Sequence, residues 1–241
     1  MDIIAHRGFS GTYPENTMLS FEKAVENGAD AIELDVHLSK DGEVMIIHDE
    51  ALARTTGRDG FVFDYTRSEL EKISAGKTKD DKFGFTPIPS LEEYLAMIKD
   101  TKLYTNIELK TAPVYYPGIE EKTLDLVRRF SLEDRILCSS FNWLSVLRMK
   151  DLDPNARIAL LFDGLKLINM GTLLGKMQVE CYHPSLRILD DGVVSDMKAH
   201  GVKLNVWTVN DSEGMAKCID WGIDGLITNE VLRAKEILRR S

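Results

Sequence analysis

The sequence predicts an α/β protein built as a (β/α)8 TIM barrel with a small insertion after the second strand. Short apolar runs of β-forming residues alternate with helical patterns along nearly the whole chain. Such alternation implies a parallel sheet with helices outside it. Counting strand-then-helix units gives eight, which suits a chain of 241 residues. A doubly wound open sheet is the alternative, but no GxGxxG follows the first strand, which weakens a dinucleotide-binding version of it. The expected organisation is one barrel over residues 1–241, with an inserted subdomain at about 50–87.

The first strand is "DIIAH", residues 2–6. A helix follows at 17–28, with Leu19, Phe21, Ala24 and Val25 on its apolar face and Gly28 as its stop. "AIELDVHLS" at 31–39 is the second strand, and "EVMIIHD" at 43–49 extends it beyond the turn "KDG". From about Glu50 to Phe85 the rhythm breaks into a polar, Gly-punctuated stretch longer than a normal connection. Such excursions are usually lids, binding loops or inserted subdomains. The helix at 90–100 opens on a capping box, Ser90 with Glu93 three residues on. Strands at 103–110, 135–141, 157–162, 179–185, 203–209 and 225–228 follow. Helices at 118–130, 143–152, 168–177, 192–201, 212–222 and 229–240 alternate with them. No sequence repeat of 20 to 50 residues underlies the rhythm.

The bulk composition narrows the function classes. Hydrophobic residues make up 44% and charged residues 29%, so a full core needs neither disulfides nor structural metal. The net charge of −9 argues against nucleic-acid binding, which needs a basic surface. It leaves an anionic small molecule open, because a local cation reverses the field inside one cleft. Cys138, Cys181 and Cys218 are odd in number and form no CxxC, which fits a reducing compartment. "MDIIAHRG" has neither the basic nor the apolar region of a signal peptide, and no apolar run reaches the length of a membrane span. The expected location is cytoplasmic. The sequence sets no oligomeric state.

Barrels place their chemistry at the C-terminal ends of the strands. His6 and Arg7 end the first strand, Glu33 and Asp35 lie late in the second, and His48 and Asp49 end its extension. Glu108 and Lys110 end the third barrel strand, Ser139 and Ser140 the fourth, His183 the sixth and Trp207 the seventh. Period-2 geometry sends Glu33 and Asp35 to one face, and Glu108 and Lys110 likewise. If those faces point inward, three carboxylates converge, and three buried like charges stay ionised only if a cation joins them. Oxygen donors suit a hard divalent ion such as Mg2+ or Ca2+. His6 and His48 titrate near neutral pH and fit an acid and base pair. Arg7 offers a planar fork matched to phosphate or carboxylate oxygens, and Lys110 a point charge. Trp207 reads either as a wall for an apolar or glycerol-like face or as a core aromatic. Asp49 fits a turn residue, His37 reads as peripheral and near the surface, and His200 as a helix-end cation.

"AHRG…PENT", "ELDVHLSKDGEVMIIHD", "RTTGRDG", "IELK" and "VWTVN" together resemble the glycerophosphodiester phosphodiesterase family. The resemblance runs from Ile3 to "DGLITN", with the motifs in family order. It implies hydrolysis of a glycerophosphodiester, such as a deacylated phospholipid, to glycerol 3-phosphate and an alcohol. By similarity His6 and His48 are the acid/base pair, while Glu33, Asp35 and Glu108 bind one divalent metal, Mg2+ or Ca2+, with Mn2+ also possible. Arg7 and Lys110 hold the phosphate, Glu15 and Asn16 of "PENT" support the site, and Trp207 meets the glycerol. The implied partner is a small-molecule glycerophosphodiester. The last strand ends "ITNE" where the family often carries Asp-Arg-Pro, and Asn229 and Glu230 receive no catalytic role. His183 receives no assignment. Two rivals remain: a lysophospholipase D-like enzyme using Phe61, Val62, Phe63 and Tyr65 of the insertion as an apolar groove, and a non-catalytic phosphoester-binding barrel.

Overall fold

The computed structural model describes residues 1–79 and 81–240. Eight parallel strands close into a barrel: β1 (Asp2–His6), β2 (Ala31–Leu38), β4 (Tyr104–Leu109), β5 (Ile136–Ser140), β6 (Ile158–Phe162), β7 (Cys181–Pro184), β8 (Lys203–Val206) and β9 (Gly225–Thr228). Pairing of β1 with both β2 and β9 makes the closure. Helices α1 (Met18–Glu26), α4 (Leu91–Ile98), α5 (Ile119–Arg129), α6 (Trp143–Leu152), α7 (Met170–Lys176), α8 (Asp191–Ala199), α9 (Ser212–Asp220) and α10 (Val231–Arg240) connect and follow these strands. The expected (β/α)8 barrel is therefore the observed one.

Strand parity sorts the core. Ile32, Leu34 and Val36 of β2, and Ile107 and Leu109 of β4, point outward into the shell packed under the helices. The alternate positions point inward. Near the base of the barrel Ile4, Ala31 and Ile227 pack with Tyr104. Gly225 is required there, because a Cβ would lie 2.3 Å from Asn205 Oδ1 and 2.7 Å from Ile4 Cδ1. Towards the other end the inward positions turn polar: His6, Glu33, Asp35, Asn106, Glu108 and Ser139.

Local signals place the helices as expected. Thr17 caps α1 through Ser20, and Ser90 and Glu93 form the capping box of α4. Element ends differ from expectation by one to three residues. Two strands stop three residues early: the expected 43–49 strand ends at Ile46 and β8 at Val206. Trp207 then bridges to Ser185 on the rim.

The second strand is longer than its neighbours. Its last residues pair with a short antiparallel strand, β3 (Val44–Ile46), which folds back over the barrel mouth. Ile47 N–H then donates to Asp35 O (3.1 Å), so the next residue, His48, lands at the mouth. Among the described residues of 50–87 are two short α-helices, α2 (Ala53–Thr56) and α3 (Arg67–Leu70), and two 3-10 turns, Val62–Asp64 and Asp81–Phe83. Leu52, Val62, Leu70, Ile73 and Ala75 of this stretch pack with Met45, Ile47 and Ile88 as a cluster apart from the barrel core. Cys138, Cys181 and Cys218 are free and buried. Among the described residues no helix is long and apolar enough to cross a membrane.

Candidate active site

Register brings the carboxylates together. His6 lies beside Glu33 across β1 and β2, and Asp35 beside Glu108 across β2 and β4. Glu33, Asp35 and Glu108 are all buried, and each offers an oxygen within 4.8 Å of the others. Burial, then the charges of Asp35 and Glu108, hold Glu33 well above the usual carboxylate range. Burial also raises Glu108, with Lys110 opposing and Asp35 adding to the shift. Against the pull of its own burial, Asp35 is held low by Lys110 and Arg7. Asp35 Oδ1 is buried yet accepts no hydrogen bond among the described residues. An acidic trio with an idle oxygen and two members that resist ionisation fits a hard divalent cation.

Two cations of the chain approach the trio without neutralising it. Lys110 Nζ donates to Glu108 Oε1 (2.7 Å) and lies 3.6 Å from Asp35 Oδ1. Arg7 Nη1 donates to Glu15 Oε1 (2.9 Å), while its Nε is 3.4 Å from Asp35 Oδ2. The backbone aims Arg7. Its φ is 56°, and Gly8 follows at φ 78° where a Cβ would meet Ser20 at 2.4 Å. This left-handed turn is costly for arginine and returns its N–H to Glu33 Oε2 at 2.9 Å. Asn16, also at positive φ, donates Nδ2–H to Asp35 Oδ2 (2.8 Å). Glu15 and Asn16 thus reach Arg7 and Asp35 respectively.

The two histidines differ. His6 Nδ1–H donates to Asn229 Oδ1 (2.6 Å), which turns Nε2 toward Glu33, 4.0 Å away. Burial first, then Arg7, push its pKa down to about 4, so the ring is neutral with a free lone pair on Nε2. His48 Nδ1–H instead donates to Asp49 Oδ1 (2.5 Å), and Lys110 Nζ reaches its Nε2 at 3.2 Å. Arg54 fastens this arrangement: it donates to Asp49 and, through two nitrogens, to Glu15 (2.8 and 2.9 Å).

Several expectations need correction. His37 is fully buried, not near the surface. Its Nε2–H donates to His48 O (3.0 Å) and its Nδ1 accepts from Tyr116 OH (2.9 Å), so it braces the loop that carries His48. Asp49 is more than a turn residue, since it is the hydrogen-bond partner of His48. Asn229, for which the sequence suggests no catalytic role, sets the tautomer of His6; barrel closure supplies that contact across 223 residues, and no short-range pattern signals it. His183 is a core residue bonded to Asn205 (2.9 Å), with its pKa pushed down to about 3 by burial. His200 lies away from the mouth, against Thr172 and Asp196. Of the four insertion aromatics and aliphatics, Val62 is buried in the insertion's own cluster, while Phe61 and Phe63 stack on the surface at 5.1 Å.

Two cavities meet beside Glu108. The first, of about 80 Å³, is lined by His6, Arg7, Glu33, His48, Glu108, Lys110, Phe141 and Trp207. Trp207 Nε1–H donates to His183 O (2.7 Å) and its ring meets Phe141 edge-on at 5.5 Å, so one wall is a fixed aromatic face. The second, of about 250 Å³, is bounded by Glu50, Leu109, Ala112, Pro113, Ser140 and Phe141. It shares His48, Glu108, Lys110 and Phe141 with the first. His6 and Arg7 face only the first cavity.

Known proteins give this geometry a context. A family model described as the glycerophosphoryl diester phosphodiesterase family matches residues 6–233. The chain is 41% identical over 228 residues to a glycerophosphodiester phosphodiesterase of Caldanaerobacter subterraneus subsp. tengcongensis, covering 95% of this chain and 93% of that one. It is 40% identical over 239 residues to a protein of the same name from Bacillus altitudinis, covering 98% and 97%. The solved structure of an Oleispira antarctica phosphodiesterase in complex with the product sn-glycerol-3-phosphate has a TM-score of 0.90 and 30% identity, over 99% of this chain and 97% of that chain.

Proposed function

The chain belongs to the glycerophosphoryl diester phosphodiesterase family, and on that premise we propose how its residues divide the hydrolysis of a glycerophosphodiester. The whole chain acts as one catalytic barrel, with the 50–87 segment bracing one rim. The observation that carries the division of labour is the unlike setting of the two histidines.

Glu33, Asp35 and Glu108 would hold one divalent ion, Mg2+, Ca2+ or Mn2+, and that ion would withdraw charge from the phosphate oxygens as it builds up. Arg7 and Lys110 bind the non-bridging oxygens and keep the phosphate between the two cavities. The glycerol lies against Trp207 in the first cavity, and the alcohol to be released lies in the second. His6 faces only the first cavity, is neutral, and has its proton tied to Asn229; its Nε2 accepts the proton of the attacking oxygen. His48 lines both cavities and donates Nδ1–H to Asp49, which fixes its ring so that Nε2, in reach of Lys110 Nζ, delivers the proton to the leaving alkoxide. The products are glycerol 3-phosphate and an alcohol.

The test is release of glycerol 3-phosphate from glycerophosphocholine, glycerophosphoethanolamine and glycerophosphoglycerol after EDTA treatment, then with Mg2+, Ca2+ or Mn2+ restored. Metal-dependent release is the expected result. No release from any of the three with any ion would overturn the reading. Release undiminished by EDTA would remove the metal from it.

A further inference from the structure

The second cavity holds a group that the reaction as described does not use. Glu50 lies on its wall, two residues after His48, and its carboxylate has no hydrogen-bond or ion-pair partner among the described residues. Three neighbouring carboxylates are by contrast engaged: Asp49 by His48 and Arg54, Glu15 by Arg7 and Arg54, and Glu108 by Lys110. The rest of the cavity is mainly carbon, from Leu109, Ala112, Pro113 and the ring of Phe141. Lys110 also borders the cavity, yet its charge is directed at Glu108 (2.7 Å) and Asp35 (3.6 Å). The field of Glu50 reaches this side of the barrel: Tyr116 is pushed up first by burial and then by Glu50.

We propose that this cavity selects alcohols bearing a positively charged amine, with Glu50 as the specificity-determining carboxylate and Phe141 as the aromatic wall. The proposal rests on the assignment of this cavity to the released alcohol. A choline or ethanolamine group places its nitrogen two carbons from the scissile oxygen, so the cation sits one short step beyond the phosphate. An alkylammonium gains from an apolar, aromatic surface together with one unpaired carboxylate. A neutral polyol such as glycerol offers Glu50 hydroxyl donors but no opposite charge, and gains no cation–π contact from the aromatic wall. An alcohol bearing its own carboxylate would be repelled.

The experiment compares wild type, Glu50→Gln and Glu50→Lys on glycerophosphocholine, glycerophosphoethanolamine and glycerophosphoglycerol under the same metal ion. Glu50→Gln is expected to lower kcat/KM for the two cationic substrates roughly tenfold, chiefly through KM, and to change glycerophosphoglycerol less than about twofold. Glu50→Lys should widen the gap. Choline chloride should inhibit wild type competitively and lose that effect in Glu50→Gln. An equal fall on all three substrates, or no fall on any, would overturn the proposal while leaving the phosphodiesterase reading intact. Failure of wild type to cleave any of the three would overturn that reading and this proposal with it.

Discussion

Both ends of the barrel carry charge, and they handle it in opposite ways. At the N-terminal ends of the strands Arg157 grips Glu180 with two nitrogens (both 2.8 Å), and Lys203 adds a third contact at 3.2 Å. Asp30 accepts from Ile3 N–H (2.8 Å) and Asp224 from Leu204 N–H (2.9 Å). These carboxylates find their partners within the chain. At the C-terminal ends the acidic trio is more deeply buried, two members resist ionisation, and Asp35 Oδ1 and Arg7 Nε lack hydrogen bonds among the described residues. Charge balanced within the chain holds the barrel together. Charge left open points to a ligand, which the proposed function makes a cation and a phosphate.

The sharpest way to test that contrast is at the histidines. His6→Ala and His48→Ala are each expected to lower kcat by about 10²–10⁴, with thermal unfolding still cooperative and close to wild type. Near-wild-type turnover in either would remove that residue from proton transfer. Asn229→Ala should cost less, roughly tenfold in kcat with KM little changed, because the ring stays but its tautomer is no longer set. Asn229→Asp keeps an acceptor for Nδ1–H and should recover part of the loss. If the Asp and Ala variants are equally impaired, the role of Asn229 is packing and not orientation.

A second test asks whether the open charge costs stability. Glu33 is buried among like charges, so Glu33→Gln should leave the metal-free Tm unchanged or higher. Saturation of wild type with a divalent ion at about 100 times Kd should add about 2.7 kcal/mol. Calorimetry should show most of that gain lost in Glu33→Gln. Glu108→Gln should likewise weaken metal affinity. A metal-free Glu33→Gln protein that melts well below wild type would mean the trio is structural, and the contrast between the two ends would fail.

Much of this site could be read from local pattern. Period-2 spacing alone put Glu33 with Asp35, and Glu108 with Lys110, on one face, and Ser90 with Glu93 announced the start of α4. The motifs from "AHRG" to "DGLITN" named the family that matches residues 6–233. What could not be read depends on distant chain segments. Asn229 meets His6 only because β9 closes on β1. His37 is buried only because β3 folds back over it and Tyr116 arrives from the loop after β4. Arg54 links Asp49 to Glu15 only once the 50–87 segment has packed its own cluster. The sequence offered the residue types in each case and no signal of the contact.

The smallest expected effect lies at the balanced end and checks the other half of the contrast. Arg157 lowers the Glu180 pKa to about 2 from a usual value near 4.5, with burial opposing and Lys203 assisting. A depressed folded-state pKa means stability that is present above pH about 4.5 and lost as pH falls toward 2. The carboxylate is 27% exposed, so solvent screening reduces the gain to about 1 kcal/mol. Glu180→Gln should therefore lower Tm by about 2–4 °C near pH 7 and leave kcat and KM unchanged. The difference from wild type should shrink as melting is repeated from pH 5 down to pH 3, because the wild type itself loses the charge. A gap that stays constant over that range would assign the loss to packing around Arg157 and not to its ion pair. The ends of the barrel would then differ in how tightly their side chains fit, and charge balance would no longer distinguish the part that holds the fold from the part that does the chemistry.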